Sequence, residues 1–229
     1  IEKKYKVKHS LFTEDYYPLY LDEVNQSVKN TSMNKSVFLG EIADITRGVY
    51  LQKYPQILTD EKTTQDDIRI IAGKDIGRFI YRGNKFVNLK NRKVAEFDNK
   101  IKRILTERIV AQGIVAQTRN HIKIIATYDR GNNLNLDTVI NIIPKNPNFK
   151  IKYILGILNS EFASYYLYTF VFNRAVRTMH FEYVKYLPIK NIPISEQNQI
   201  IDLVDKLLRL NQEVKILEKS ENKEVNKLK

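Results

Sequence analysis

Eight arginines fall between residues 69 and 130: Arg69, Arg78, Arg82, Arg92, Arg103, Arg108, Arg119 and Arg130. A guanidinium is a permanently charged planar fork, able to grip two phosphate oxygens or the O6 and N7 edge of guanine. Residues 69–130 carry fifteen basic and five acidic side chains, a net of +10, whereas residues 41–68 carry a net of −3 and residues 195–229 are neutral. A cationic face of this kind attracts polyanions and releases their counterions, so nucleic acid is the leading partner. Across all 229 residues, 38 Lys and Arg stand against 26 Asp and Glu. An Ile-, Lys- and Asn-rich composition raises lysine everywhere and offers a second reading, a merely solvated basic surface. The concentration of charge in one third of the chain argues against that as the whole account.

Other chemistries find few residues. The sequence has no GxGxxG, no GxxxxGK[ST] and no GxSxG, so phosphate cradles and nucleophile elbows are missing. The only Asn-Pro, Asn146-Pro147, is followed by Asn148, which excludes the NPPY or DPPY tetrapeptide that grips a flipped base. With no cysteine and three separated histidines (His9, His121, His180), thiolate zinc sites and disulfide scaffolds are excluded. Glu213-x-Lys215 has nuclease-like spacing but flanks an apolar seam, and Asp66-Asp67 beside Thr63, Thr64 and Gln65 reads as a solvated loop. His121, among Arg119, Asn120 and Lys123, suits a nucleic-acid contact better than a metal. No catalytic, cofactor or metal residue is assigned. No run approaches 18 apolar residues, so no membrane span is expected, and the chain is read as cytoplasmic. Beginning at Ile1, it is expected to be part of a longer protein.

These side chains need elements to hold them. Residues 1–36 read as an N-terminal extension or linker, with Asn25 to Lys35 polar throughout. Residues 37–45 read as a strand or short helix delivering Thr46-Arg47-Gly48. Runs at 68–72, 79–81, 85–89, 108–116, 121–127 and 138–144 are β-branched and bounded by Gly, Asn or Asp, as in an irregular sheet. Residues 94–105 read as a short helix, and Asp129 to Asn133 as a turn. From residue 151 the period becomes helical: 151–172 reads as one buried helix, and Ser195 as the N-cap of a final helix. There Ile200, Leu203, Leu207, Leu210, Val214 and Leu217 alternate by three and four, the seam of a coiled coil, and Glu221 and Glu224 end it. The fold class is α+β: a mixed-sheet recognition domain over 37–150, then a helical spacer region over 151–229 with a long coiled-coil-like helix.

Four segments in order resemble target-recognition domains of restriction-modification systems. They are Leu39-Gly40-Glu41-Ile42-Ala43-Asp44-Ile45-Thr46-Arg47-Gly48; Gly73-Lys74-Asp75-Ile76-Gly77-Arg78; the strands from Arg108, Ile124 and Leu136; and Tyr153-Ile154-Leu155-Gly156-Ile157-Leu158-Asn159-Ser160 with Leu187-Pro188-Ile189 and the closing helix. Over residues 37–210 the chain is most similar to the TaqI-like C-terminal specificity domain of fused restriction-modification enzymes. The resemblance implies a non-catalytic domain that binds double-stranded DNA and positions an adenine-N6 methyltransferase, a type II endonuclease or both at one sequence. S-adenosylmethionine and Mg2+ would belong to that other part, in the same or a partner chain.

Recognition loops diverge within such families, so candidate contacts rest on residue chemistry. Arg47, Tyr50, Lys74, Arg78, Arg82, Lys85, Arg119, Asn120 and His121 form the first tier, expected at loop tips. Arg130, Asn132, Arg174 and Arg177 form the second. Each basic residue could instead hold a phosphate, which positions without reading. Two further functions stay open: a small nuclease using Glu213 or Asp66, and a scaffold whose seam helix recruits a protein.

Overall fold

The computed structural model describes residues 22–118, 121–172 and 178–227. At its centre is an antiparallel sheet in the order Ala126–Asp129, Arg108–Gln112, Val139–Pro144, Ala43–Arg47. Alternation sorts its side chains. Ile109, Ala111, Ile140 and Ile142 enter the main core with Tyr153, Ile154 and Tyr166, while Val110 and Val139 meet Ile71 and Ile76 in a smaller cluster. A second sheet runs Asn133–Asn135, Asp67–Ile71, Lys85–Asn88, Leu58–Thr59, its first pair parallel. It has its own core, in which Ile70, Val87 and Leu134 pack against Val94, Ile101 and Ile104. The mixed class is therefore realised as several small sheets with short helices interspersed between their strands and a long helix at the end.

One expected member of the basic face is instead internal. Arg108 is 0% exposed, with its Nη2 2.9 Å from Asp129 Oδ2. Its Nε donates to Asn141 Oδ1 at 2.8 Å and its Nη1 to the Thr106 carbonyl at 3.1 Å. Asp129 Oδ1 accepts from Gly131 N at 3.1 Å, Asn132 N at 3.2 Å and Asn133 Nδ2 at 3.0 Å. The expected turn is thus present, with Gly131 at φ +88°, a backbone that glycine adopts without a Cβ penalty.

Several elements depart from their sequence reading. Residues 151–172 are not one helix: Ile151–Leu158 ends at Asn159, Ser160 Oγ caps Glu161–Tyr166 by accepting from Ala163 N at 3.2 Å, and Leu167–Val171 is a π-helical turn. Asn159 breaks the helix because its amide serves the sheet instead. Its Oδ1 accepts from Ala126 N at 3.1 Å and its Nδ2 donates to Ala126 O at 3.0 Å, as a neighbouring strand would. The run 108–116 divides at Gly113, 121–127 divides into His121–Ile122 and Ala126–Asp129, and 94–105 becomes Arg92–Ala95 and Asp98–Ile104. Within the expected linker, Glu23–Met33 is a helix, capped by Asp22 Oδ1, which accepts from Asn25 N at 2.9 Å. Lys190 Nζ donates to its Thr31 carbonyl at 2.7 Å, and Ser36–Phe38 pairs with Pro188–Lys190. The final helix, Ile194–Lys227, starts one residue before Ser195; its first amides, Glu196 and Gln197, donate to the Pro193 carbonyl.

That helix has two apolar stripes. Val204 is buried, and Ile200, Ile201 and Leu208 pack against the main core. The seam beyond Ile200 faces outward: Leu203, Leu207, Leu210, Val214 and Leu217 are all exposed. No described helix is long and apolar enough to cross a membrane.

Asp67 is buried, not solvated. Its Oδ2 accepts from Thr63 N, Thr63 Oγ1 and Thr64 N at 2.8–2.9 Å, and its Oδ1 from Thr64 Oγ1 at 2.8 Å and Asn88 Nδ2 at 2.7 Å. These donors, the Thr63 amide foremost, hold the carboxyl far below the usual carboxylate range. Its stabilising effect is therefore complete at neutral pH and lost as pH falls below the ordinary carboxylate value. Asp67→Asn is expected to melt lower than the unsubstituted chain at pH 7, with the gap narrowing in melting curves below about pH 4. A constant gap would remove the carboxylate from this role. Asp129→Ala leaves the buried Arg108 charge unpaired and is expected to cost about 3–5 kcal/mol in urea unfolding; a loss under about 1 kcal/mol would show the pair to be incidental.

Candidate nucleic-acid interface

Three glycine-bearing segments meet at one end of the central sheet. Gly48 N donates to the Val139 carbonyl at 2.9 Å, Gly73 N to Thr138 Oγ1 at 3.0 Å, and Gly113 N to the Thr138 carbonyl at 2.7 Å. A side chain at Gly48 would put its Cβ 2.2 Å from the Asn135 carbonyl oxygen, so only glycine lets the strand pass there. Beyond it, Val49 N donates to Asn135 O at 2.8 Å and Val49 O accepts from Asp137 N at 3.0 Å. Arg47 and Tyr50 flank this crossing, Tyr50 half exposed, and the Gln52 amide donates to the Asp137 carboxylate. Lys74 is exposed on the short turn Gly73–Asp75, which Asp75 Oδ2 closes by accepting from Ala72 N at 2.9 Å. Gly113 launches Ile114–Thr118, which pairs with His121–Ile122 and with Thr178–His180. Arg47, Tyr50, Lys74 and the strand beginning at His121 therefore extend from the same end of the sheet. Arg119, Asn120, Arg174 and Arg177 lie outside the described residues.

The remaining candidates do not join them. Arg78 and Phe79 form the two-residue turn between Ile76–Gly77 and Ile80–Tyr81, and that turn points inward. Phe79 is buried at φ 60°, strained for a bulky residue, and its amide donates to the Ala126 carbonyl at 3.0 Å. Arg78 Nη2 donates to the Asn159 carbonyl and its Nε is buried, so Arg78 is no loop tip but an anchor of the hairpin. Arg82 lies 3.4 Å from Glu218 on the final helix, and Lys85 lies 2.7 Å from Asp60. Arg130 and Asn132 sit beside Asp129, at the opposite end of the sheet from Arg47. There they line a cavity of about 450 Å³ with Tyr81, Tyr128, Leu208 and Gln212. The residues of the nuclease alternative are dispersed: Asp66 pairs with Lys90 at 2.8 Å, Glu213 lies 4.0 Å from Arg209, and Lys215 Nζ donates to the Tyr81 carbonyl at 2.6 Å. Among the described residues no three His, Asp or Glu side chains cluster as a metal site would require.

The charge segregation along the sequence is largely undone in space. The acidic segment folds onto the basic one: Asp44 pairs with Arg103 at 2.9 Å, Asp60 with Lys85 and Asp66 with Lys90. Arg103, beside Asp44, holds that carboxyl below its ordinary range, with Lys145 adding to it. Arg69 lies over the rings of Tyr81 and Phe86, both at 5.9 Å. Near Arg47 the balance stays positive. Burial lowers the Lys100 pKa; Asp137 opposes that shift and Arg47 adds to it. Lys53 lies over Tyr50 and Tyr54, and Lys93 over Tyr54. Sequence reasoning missed Lys53, Tyr54, Lys93, Lys100 and the acceptor Thr138. The interleaved Tyr50, Lys53 and Tyr54 were the available signal; nothing local marked Thr138.

No curated protein matches the chain. Among solved structures it is similar to the type IIG restriction endonuclease BpuSI, with TM-score 0.51 and 11% identity over 79% of this chain and 28% of that one. It is also similar to the HsdS subunit from Thermoanaerobacter tengcongensis, with TM-score 0.44 and 14% identity over 86% and 46% of the two chains. For the type I restriction-modification S subunit from M. genitalium the values are 0.44, 15%, 85% and 46%. The chain thus spans less than half the length of each, and at these identities the likeness to BpuSI speaks for the fold alone. A family model, the TaqI-like C-terminal specificity domain, matches residues 68–194, more than half of the sequence and the stretch that holds both sheets' central strands and the helices packed on them. The chain belongs to the TaqI-like C-terminal specificity domain family, the sequence-specificity domains of restriction-modification systems.

Proposed function

We propose that this chain reads a DNA sequence for a restriction-modification enzyme whose methyltransferase, endonuclease or both lie outside it, in the same or a partner chain. The observation that carries this reading is the convergence of three loops on Thr138 and Val139, which extends Arg47, Tyr50, Lys74 and the paired strands Ile114–Thr118 and His121–Ile122 from one end of the sheet. Loops on a rigid scaffold are where recognition residues sit. Arg47 has the fork that suits guanine O6 and N7, and Lys74 can serve either guanine or phosphate. S-adenosylmethionine and Mg2+ are assigned to the catalytic part. The exposed seam of the final helix, Leu203 to Leu217, is assigned to a helix of that part.

Selection from a randomised duplex pool tests the reading directly. The chain is expected to enrich a motif, and Arg47→Ala or Lys74→Ala to relax one position of it by about 1–3 kcal/mol without moving the melting temperature. A pool that stays random would end the proposal. Leu207→Asp is expected to leave duplex affinity intact while weakening assembly with the catalytic part, seen as earlier dissociation in sedimentation. Equal loss of both would mean that the helix serves folding, not docking.

A further inference from the structure

Resting on that reading, we infer that Lys53, Arg92 and Lys93, mounted on Tyr50 and Tyr54, form a phosphate-binding platform that holds the DNA backbone beside the base-reading end. Tyr54 is rooted in the core of the second sheet, packed with Val94 and Leu51. Lys53 Nζ lies 5.6 Å from the Tyr50 ring centre and 5.0 Å from that of Tyr54; Lys93 Nζ lies 5.3 Å from Tyr54. An ammonium held against an aromatic face keeps N–H donors turned to solvent while losing much of its stem's freedom. Arg92 is exposed next to Lys93 at the start of the helix Arg92–Ala95. Glu96 lies among them, 2.9 Å from Lys93 and within electrostatic reach of Lys53 and Arg92. Three cations therefore act on that carboxylate.

Position separates this group from the other basic residues of the same sheet. Lys85, Lys90 and Arg103 each have an aspartate within 3 Å and Lys93 has Glu96 at 2.9 Å, whereas no ion pair among the described residues involves Lys53 or Arg92, so the surplus of the group rests on these two. The platform is continuous with the reading end, because Tyr50 follows Gly48 by two residues and carries Lys53. Its side chains stand on the helix Arg92–Ala95 and on the turn Leu51 to Tyr54, closed by the Tyr54 amide on the Leu51 carbonyl at 2.9 Å and braced by the core through Leu51 and Tyr54. That arrangement suits a fixed grip on the repeating backbone, which orients a protein and carries no sequence information.

The test is duplex binding by the full chain at several salt concentrations between about 50 and 200 mM, with short duplexes of unrelated sequence. Lys53→Gln, Arg92→Gln and Lys93→Gln combined is expected to weaken every duplex by the same factor and to flatten the slope of log affinity against log salt by about 0.9 for each phosphate that is no longer neutralised. Lys85→Gln with Lys90→Gln removes two charges that already have aspartate partners and is expected to leave the slope unchanged. An unaltered slope in the triple variant, or an equal loss in the Lys85 and Lys90 variant, overturns the platform while duplex binding by the unsubstituted chain keeps the recognition reading. No salt-dependent binding by the unsubstituted chain overturns both.

Discussion

Peptide amides from three distant parts of the chain find their acceptors on two adjacent residues, Thr138 and Val139. Each amide is a donor that cannot be left buried and unpaired without a cost of about 1–3 kcal/mol, so the three loops are fixed to one another through a shared partner. Moving any of them would strand a donor and open the joint between the two sheets, where Val49 pairs with Leu136 and Leu136 N reaches the Ile71 carbonyl. An end built this way can vary the side chains beyond each glycine without disturbing what aims them. Arg47, Tyr50 and Lys74 stand beside the joint, not in it.

The charge of the chain acts differently from its order in the sequence. The acidic stretch 41–68 and the basic stretch 69–130 look like separate surfaces when written out, yet Asp44, Asp60 and Asp66 each reach across to the basic stretch. Exposed pairs of this kind contribute little to stability, typically about 0–1 kcal/mol. Their larger effect is on the field, because they cancel the cations they touch and leave the surplus where no aspartate arrives. Lys53, over Tyr50 and Tyr54, is among the cations that no described ion pair reaches. Arg108 belongs to another category: with its charge enclosed beside Asp129, it joins the central sheet to the turn that begins the second, and adds nothing to the outside.

Periodicity and punctuation made much of the architecture legible. The β-branched runs became the central strands, the Asp129 to Asn133 turn formed at the expected place, and the helical period after residue 151 was real. The failures share a physical cause: a polar side chain bonding to backbone far away in sequence. Asn159 reads as a helical residue until Ala126 is beside it, and Arg78 reads as a loop tip until the Asn159 carbonyl accepts its guanidinium. The helix Glu23–Met33 looks like a linker because its composition is polar; its cap on Asp22 and its bond from Lys190 supply what an apolar face would otherwise give. Of the candidate contacts, those beside the glycines that bond to Thr138 and Val139 came together; Arg78, Arg82 and Arg130 also adjoin glycines, but not glycines of that joint. Tight backbone approach constrains position more than charge does.

The final helix shows why a single heptad pattern was read only halfway. Its spacing of three and four was correct, but two stripes share the helix, and the buried one passes through Val204 and Leu208 to Lys215, offset from the seam. Through that buried stripe the helix braces the hairpin Ile76–Tyr81, with Lys215 on the Tyr81 carbonyl and ring and Arg82 opposite Glu218. That hairpin in turn holds Asp75, which closes the Lys74 turn and accepts from Arg82 N through its carbonyl. A rigid path of hydrogen bonds and packed side chains therefore runs from the exposed seam to one of the reading loops. Whatever packs on Leu207 and Val214 is thereby set in a defined orientation to the Lys74 turn, and on the proposed function a specificity domain needs that orientation if distant catalytic groups are to meet one chosen site.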